Sequence, residues 1–149
     1  MVKFRIHSGW QAKSTDLKTD LRGAITHVNQ HRQAEDLLIL QIPHLEFAYR
    51  YYTSNQGSSP FDGGDDRLGW WAGGPWTNNG LSDEDARRRV DEEMREMTAG
   101  ARDIWVIRSE SETWDSRRLM DQWLSDNAIL FDEKDFFGVE VSGHRFDTP

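Results

Sequence analysis

The chain has no cysteine, which removes disulfides, thiol nucleophiles and thiolate metal sites, and leaves its redox compartment undetermined. It is also short of long apolar runs. Nothing approaches the ~20 residues that a membrane-spanning helix needs, and Met1 to Gln11 shows neither an apolar segment nor a cleavage site. Basic residues are in deficit: 18 Lys and Arg face 26 Asp and Glu, a formal charge of -8. A nucleic-acid backbone or an anionic lipid surface would be repelled on average, so neither is expected as a partner. Phosphate-cradling loops are missing too, since "QIPHLEF" and "RSESETW" offer no glycine for close backbone approach. No G-x-S-x-G elbow occurs, so a Ser-His-Asp hydrolase has no local foundation. Carboxylates abound, but on so acidic a chain any two meeting as general acid and base would be coincidence by default.

What is present reads as one domain of 149 residues, with 1–15 an extended lead-in. Leu17, Leu21, Ala24, Ile25 and Val28 recur at helical spacing and predict a helix from Asp16 to His31. "DLLILQIP" predicts a buried strand over Leu37 to Ile42, stopped by Pro43, and "HLEFAYRYYTS" a short helix behind it. Residues 54–80 hold seven glycines and two prolines with almost no periodicity, a long loop of the kind that usually belongs to a function or to disorder. "LSDEDARRRVDEEMREM" restarts a helix with Ser82 as N-cap, an apolar seam of Ala86, Val90, Met94 and Met97, and Gly100 to close it. "DIWVIRSE" is a second strand, apolar on both faces, for which parallel pairing with the first is the natural expectation. "TWDSRRLMDQWLSDN" predicts a helix burying Leu119, Met120, Trp123 and Leu124. The remainder predicts an antiparallel edge hairpin in which Phe137, Val139 and Val141 alternate with polar or small neighbours. The expected fold is therefore a small three-layer α/β domain with a mostly parallel sheet and a C-terminal antiparallel edge hairpin.

Open sheets of this class hold ligands outside the carboxyl ends of their strands. Those ends carry Gln41, Pro43 and His44 after the first strand and Arg108, Ser109, Glu110 and Glu112 after the second. Ser109 and Glu110 also suit a cap for the next helix. The glycine- and tryptophan-rich loop leaves from the same side. For Trp70, Trp71 and Trp76 two accounts compete: rings that stack on sugar faces, or anchors that pin the loop to the sheet's edge, the latter preferred. Asn78 and Asn79 share that loop, Trp105 and Trp123 read as core, and Trp114 as a staple on the following helix. Asp65 and Asp66 read as a solvated turn. The histidines are scattered except for His27 and His31, which share a helix face at i, i+4 but lack the H-E-x-x-H glutamate and a third ligand nearby in sequence. No metal and no cofactor are expected.

The order of landmarks adds a resemblance. "DLRGAITHV", "EDLLILQIPHLEFAYRYY", "GGPWTNNGLSDEDA", "ARDIWVIRSESETWDSRRLMDQWL" and "FFGVEV" together resemble the C-terminal extramembrane region of bacterial membrane glycosyltransferases related to the protein O-mannosyltransferases and the lipid A aminoarabinose transferases, over roughly residues 16–146. Asp20 and Arg22 match the family's Asp-x-Arg helix, Tyr51 and Tyr52 its aromatic pair, and Trp105 and Val106 its W-[LV]-V strand. The resemblance implies a parent that moves a sugar from a polyprenyl-phosphate donor outside the cytoplasm, whose catalytic acids lie between membrane helices that this chain does not have. It implies an excised accessory domain with an introduced Met1, non-catalytic alone, partnered by the membrane-embedded portion of the parent and touching a glycan or lipid-linked sugar. The candidate contacts are His44, Trp70, Trp71, Trp76, Asn78, Asn79, Arg108 and Glu110. The runner-up is a free-standing α/β protein or enzyme taking a sugar or sugar phosphate at the strand ends, with Arg108 receiving the anion. A third reading is a pure packing module that docks on a membrane-embedded partner.

Overall fold

The computed structural model describes residues 19–42, 45–54, 68–70, 80–110 and 115–147. In chain order these form α1 (Leu21–His31), β1 (Leu37–Leu40), α2 (Leu45–Ser54), β2 (Leu68–Trp70), α3 (Asp83–Thr98), β3 (Asp103–Ser109), α4 (Leu119–Asn127), β4 (Ile129–Phe136) and β5 (Val139–Arg145). The chain thus has the expected α/β class. Among the described residues no helix is long and apolar enough to cross a membrane.

The strands form one sheet in the order β2-β1-β3-β5-β4. The two apolar runs are parallel neighbours, with Leu38 opposite Trp105 and Leu40 opposite Ile107. β5 runs antiparallel to β3, and β4 antiparallel to β5. The sheet is therefore mixed, two parallel and two antiparallel pairs, rather than mostly parallel. The cause is local: a two-residue turn joins β4 to β5, and only antiparallel strands can be joined so tightly. Gly138, at φ 72, supplies the left-handed residue of that turn. Phe137 sits in the turn and is 55% exposed instead of alternating inward with Val139 and Val141. The hairpin does lie at the sheet's edge as expected, β5 against β3 and β4 forming the rim. β4 is exposed along most of its length, apolar at Ile129, Leu130 and Phe131 and charged from Asp132 to Asp135, as an edge strand can be.

β2 corrects the expectation of an unstructured 54–80 loop. Leu68 pairs with Leu38 and Trp70 with Leu40, parallel to β1. The outer edge of β1 presents unpaired N–H and C=O groups, and a three-residue strand satisfies them whatever its side-chain pattern.

Alternation along β1 and β3 divides the apolar residues into two clusters. Leu37, Ile39, Ile104 and Val106 pack with Ala86, Val90 and Met94 of α3 and Leu119, Met120, Trp123 and Leu124 of α4. Leu38, Leu40, Trp105 and Ile107 pack with Ala24, Ile25 and Val28 of α1 and Leu45 and Tyr49 of α2. Ser82 caps α3 as expected, accepting the Asp85 N–H at 3.1 Å, whereas α1 begins at Leu21 rather than Asp16 because Asp20 caps it, accepting the Gly23 N–H at 2.9 Å; residues 16–18 lie outside the described residues.

α4 starts later than its apolar pattern suggests, at Leu119 rather than near Thr113. Arg118 holds the left-handed conformation, φ 55, which no helix can continue through. The cap is Asp115, not Ser109 or Glu110: its carboxylate accepts the Leu119 N–H at 2.9 Å and the Met120 N–H at 3.1 Å. Burial pushes the Asp115 carboxyl above the ordinary aspartate range, an effect only partly offset by those two backbone donors. Asp115→Ala should lower stability by about 1–2 kcal/mol by orphaning both donors. Urea unfolding followed by far-UV circular dichroism checks this, and an unmoved midpoint would take the cap away from Asp115.

A polar cleft at the carboxyl end of β3

Period-two geometry carries the apolar face of β3 into a polar one. After Ile104 and Val106, the next residue facing α4 is Arg108, and across the ladder β5 sets His144, Ser142 and Glu140 opposite these three in turn. β4 then places Glu133 beside Ser142 and Asp135 beside Glu140. From above, the first turn of α4 supplies Asp121. These elements enclose a cleft of ≈ 480 Å³ that also takes in Arg118.

Its floor is a chain of buried contacts. Arg108 is 5% exposed, and its Nη1 donates to Ser142 Oγ at 2.7 Å. Ser142 Oγ lies 2.8 Å from His144 Nε2. Arg108 Nε stands 2.6 Å from Asp121 Oδ1, an ion pair whose angle is not that of a hydrogen bond. Arg118 Nη2 bridges the other Asp121 oxygen at 2.6 Å and Glu140 Oε2 at 3.3 Å. Burial, and secondarily the Arg108 charge, push the His144 imidazole down to about 4, so it is neutral at neutral pH. Four carboxylates, Asp121, Glu133, Asp135 and Glu140, therefore outnumber the two guanidiniums, and the cleft is net negative.

A second cavity opens beside the first at the exit of β3, sharing Arg108, Arg118, Asp135 and Glu140 and adding Ser109 and Glu110. Two of the expected site residues, Arg108 and Glu110, thus meet there. The exits of β1 and β3 are tied together: Gln41 Oε1 accepts the Ser109 N–H at 3.1 Å, and the Gln41 N–H donates to the Ile107 carbonyl at 3.1 Å. Trp70 lies in β2, with β1 between it and β3. His44, Trp71, Trp76, Asn78 and Asn79 lie outside the described residues, as do Pro43, Glu112 and Trp114.

Asp121, Arg118, Glu140, Ser142 and His144 are site residues that sequence reading missed. The available signal was the polar phase of β5, Glu140, Ser142, His144, which in an interior strand has to be partnered rather than solvated.

Chemically, the pairing of Ser142 with His144 has the outline of a nucleophile and base without the activation. An imidazole at about 4 is a weak base at neutral pH, and Arg108 already donates to the serine oxygen. Guanidiniums and carboxylates alternating around a small cleft suit a hydroxyl-rich ligand, donating to some oxygens and accepting from others. No protein-family model, curated protein or solved structure matches this chain.

Proposed function

We infer that this chain is the three-layer, Rossmann-like accessory domain of a membrane-embedded sugar transferase, placed on the extracytoplasmic side, and that alone it binds a neutral glycan without reacting on it. The observation that carries the binding role is the net-negative cleft of ≈ 480 Å³, which offers paired donors and acceptors and whose His144 imidazole is a weak base at neutral pH. Its charge works against the anion-receiving role of Arg108, whose guanidinium is engaged by Asp121 and Ser142. The placement in a transferase rests on the landmark resemblance, and those landmarks have structural work in this fold. Asp20 caps α1, the Arg22 guanidinium lies 5.7 Å from the Tyr52 ring centre, and Tyr52 meets Tyr51 edge to face at 5.2 Å. The partner is then the membrane-embedded portion of the same parent chain, and the ligand the sugar part of an acceptor glycan or lipid-linked sugar.

Titration calorimetry of the chain with neutral mono- and disaccharides, and separately with sugar phosphates and inorganic phosphate, tests the binding role. Expected are saturable binding of a neutral sugar without turnover, roughly tenfold or more weakening in Glu140→Gln through loss of a charged hydrogen-bond partner, and no uptake of phosphate. Preference for a sugar phosphate, or turnover, would overturn the reading in favour of a free-standing enzyme. For the parent, the genomic reading frame decides: codons for membrane helices immediately upstream of Val2 support it, and a stop codon there removes it.

A further inference from the structure

On the face of the sheet opposite the cleft, α1 and the edge strand β4 bring together three side chains that belong to no part of the reading above. His27 and His31 stack one turn apart on α1, ring centres 4.4 Å from each other. His27 Nε2 lies 2.8 Å from Asp132 Oδ2. One donor atom from each of the three falls within 4.8 Å of the others. The geometry points to a binding site for a divalent transition-metal ion of the zinc class, held by His27, His31 and Asp132.

Three features of the fold converge on this set. Asp132 reaches α1 because the β4–β5 ladder slips between Leu130 and Asp132, leaving Phe131 as an extra residue. A bulge of this kind re-aims the side chains beside it, and here Asp132 faces His27. The second feature is the tautomer of His31. Its Nδ1 sits 2.7 Å from the His27 carbonyl, which can only accept, so Nδ1 carries the proton and Nε2 is left with the lone pair a metal needs. A backbone carbonyl on the far nitrogen is the usual way a ligating histidine is oriented. Third, the site has an apolar wall: His27 lies 6.2 Å from the Trp105 ring and 6.0 Å from Phe136, and His31 6.2 Å from Trp105, while His31 itself is exposed and keeps the other side open to solvent.

Two imidazoles and one carboxylate match the donor set of three-ligand zinc centres and of two-histidine-one-carboxylate sites for other first-row metals, whereas Mg²⁺ and Ca²⁺ prefer all-oxygen sets. On binding, the metal takes the place of the proton between His27 Nε2 and Asp132, and water fills at least one remaining coordination position. The ion would fasten α1 to the edge of the sheet, and the open position leaves room for a further ligand. The inference does not depend on the glycan reading, because the cleft lies across the sheet from these residues.

The test uses the full chain stripped with EDTA and titrated with Zn²⁺ or Co²⁺ by calorimetry, thermal melting and, for Co²⁺, visible absorption. Expected are one ion per chain, a melting temperature raised by about 5–10 °C at a hundredfold excess over Kd, and affinity weakened more than about 100-fold in both His31→Ala and Asp132→Ala. Circular dichroism of the metal-free variants checks that they fold, and His31, being exposed, is the substitution least able to disturb the core. Absence of uptake would overturn the inference. So would uptake that survives both substitutions, which would put the ion on His7, His44 or His144 instead.

Discussion

Trp105→Ala is expected to remove about 3–5 kcal/mol of folding stability and to lower the melting temperature by roughly 10–15 °C. The indole is 1% exposed at the middle of the central strand and belongs to the cluster formed with Ile25, Val28, Leu38, Tyr49 and Val141. It meets Phe131 edge to face at 5.3 Å, and its Nε1 donates to Asp36 Oδ2 at 3.3 Å. Opposite it in the ladder stands Gly143, where a Cβ would come within 2.7 Å of the Phe131 ring and 3.2 Å of Trp105. β5 is thus shaped around these two rings, and removing one leaves a cavity whose β5 side has no side chain to swing inward. Against a typical total of about 5–15 kcal/mol, the loss is a large share. Trp105→Phe should cost less, about 1–2 kcal/mol, since most of the packing remains and Asp36 keeps the Gln33 N–H at 2.9 Å. Urea unfolding read by circular dichroism separates the two. A loss under about 1 kcal/mol in Trp105→Ala would mean that the α1 side of the core repacks freely, contrary to this account.

The same tryptophan shows why some of the fold was legible in the sequence. "DLLIL" and "DIWVI" are apolar on consecutive positions, which only a strand covered on both faces requires, and both are central and mutually parallel. α1 announced itself by helical spacing, though not its start, and α3 by spacing and its N-cap Ser82. What failed were features decided by partners rather than by pattern. β2 exists because β1 has an edge to fill, and its Leu68–Trp70 segment carries no periodicity of its own. The start of α4 was hidden by Asp115, whose cap acts four and five residues ahead. For the candidate site, the strand-exit rule named Arg108 and Glu110 from position alone, and both line the second cavity. Asp121, Ser142 and His144 were illegible because their role depends on which strand lies next to which. The bulge in β4 likewise concealed Asp132, whose meeting with His27 spans 105 positions of chain.

Acid should expose the cost of keeping His144 neutral. Its folded-state value is about 4 against an ordinary 6.5, so between those pH values the unfolded chain holds the extra proton and the folded chain refuses it. The stability this contributes is fully present above pH 6.5 and is lost as the pH falls towards 4. At ~1.4 kcal/mol per unit the loss is about 3 kcal/mol. Two causes set it, burial first and the Arg108 guanidinium second, with Asp121 opposing weakly. His144→Gln keeps a polar partner for Ser142 and should flatten the curve over that window. Other groups act elsewhere or in the other sense. Arg145 holds the Asp103 carboxyl below its usual range, so its contribution fades only at more acid pH. Asp115, raised by burial, favours the folded state as acid is added and is common to wild type and variant. The difference between the two chains in denaturant midpoint from pH 7 to 4 therefore isolates the imidazole, and curves that fall in parallel would make His144 an ordinary solvated histidine. The same protonation adds a positive charge beside Ser142 in a cleft whose proposed binding role depends on excess carboxylate. In the folded chain that proton arrives only near pH 4, so any neutral-sugar affinity measured there should hold through most of the window and weaken as the pH approaches 4, more in wild type than in His144→Gln.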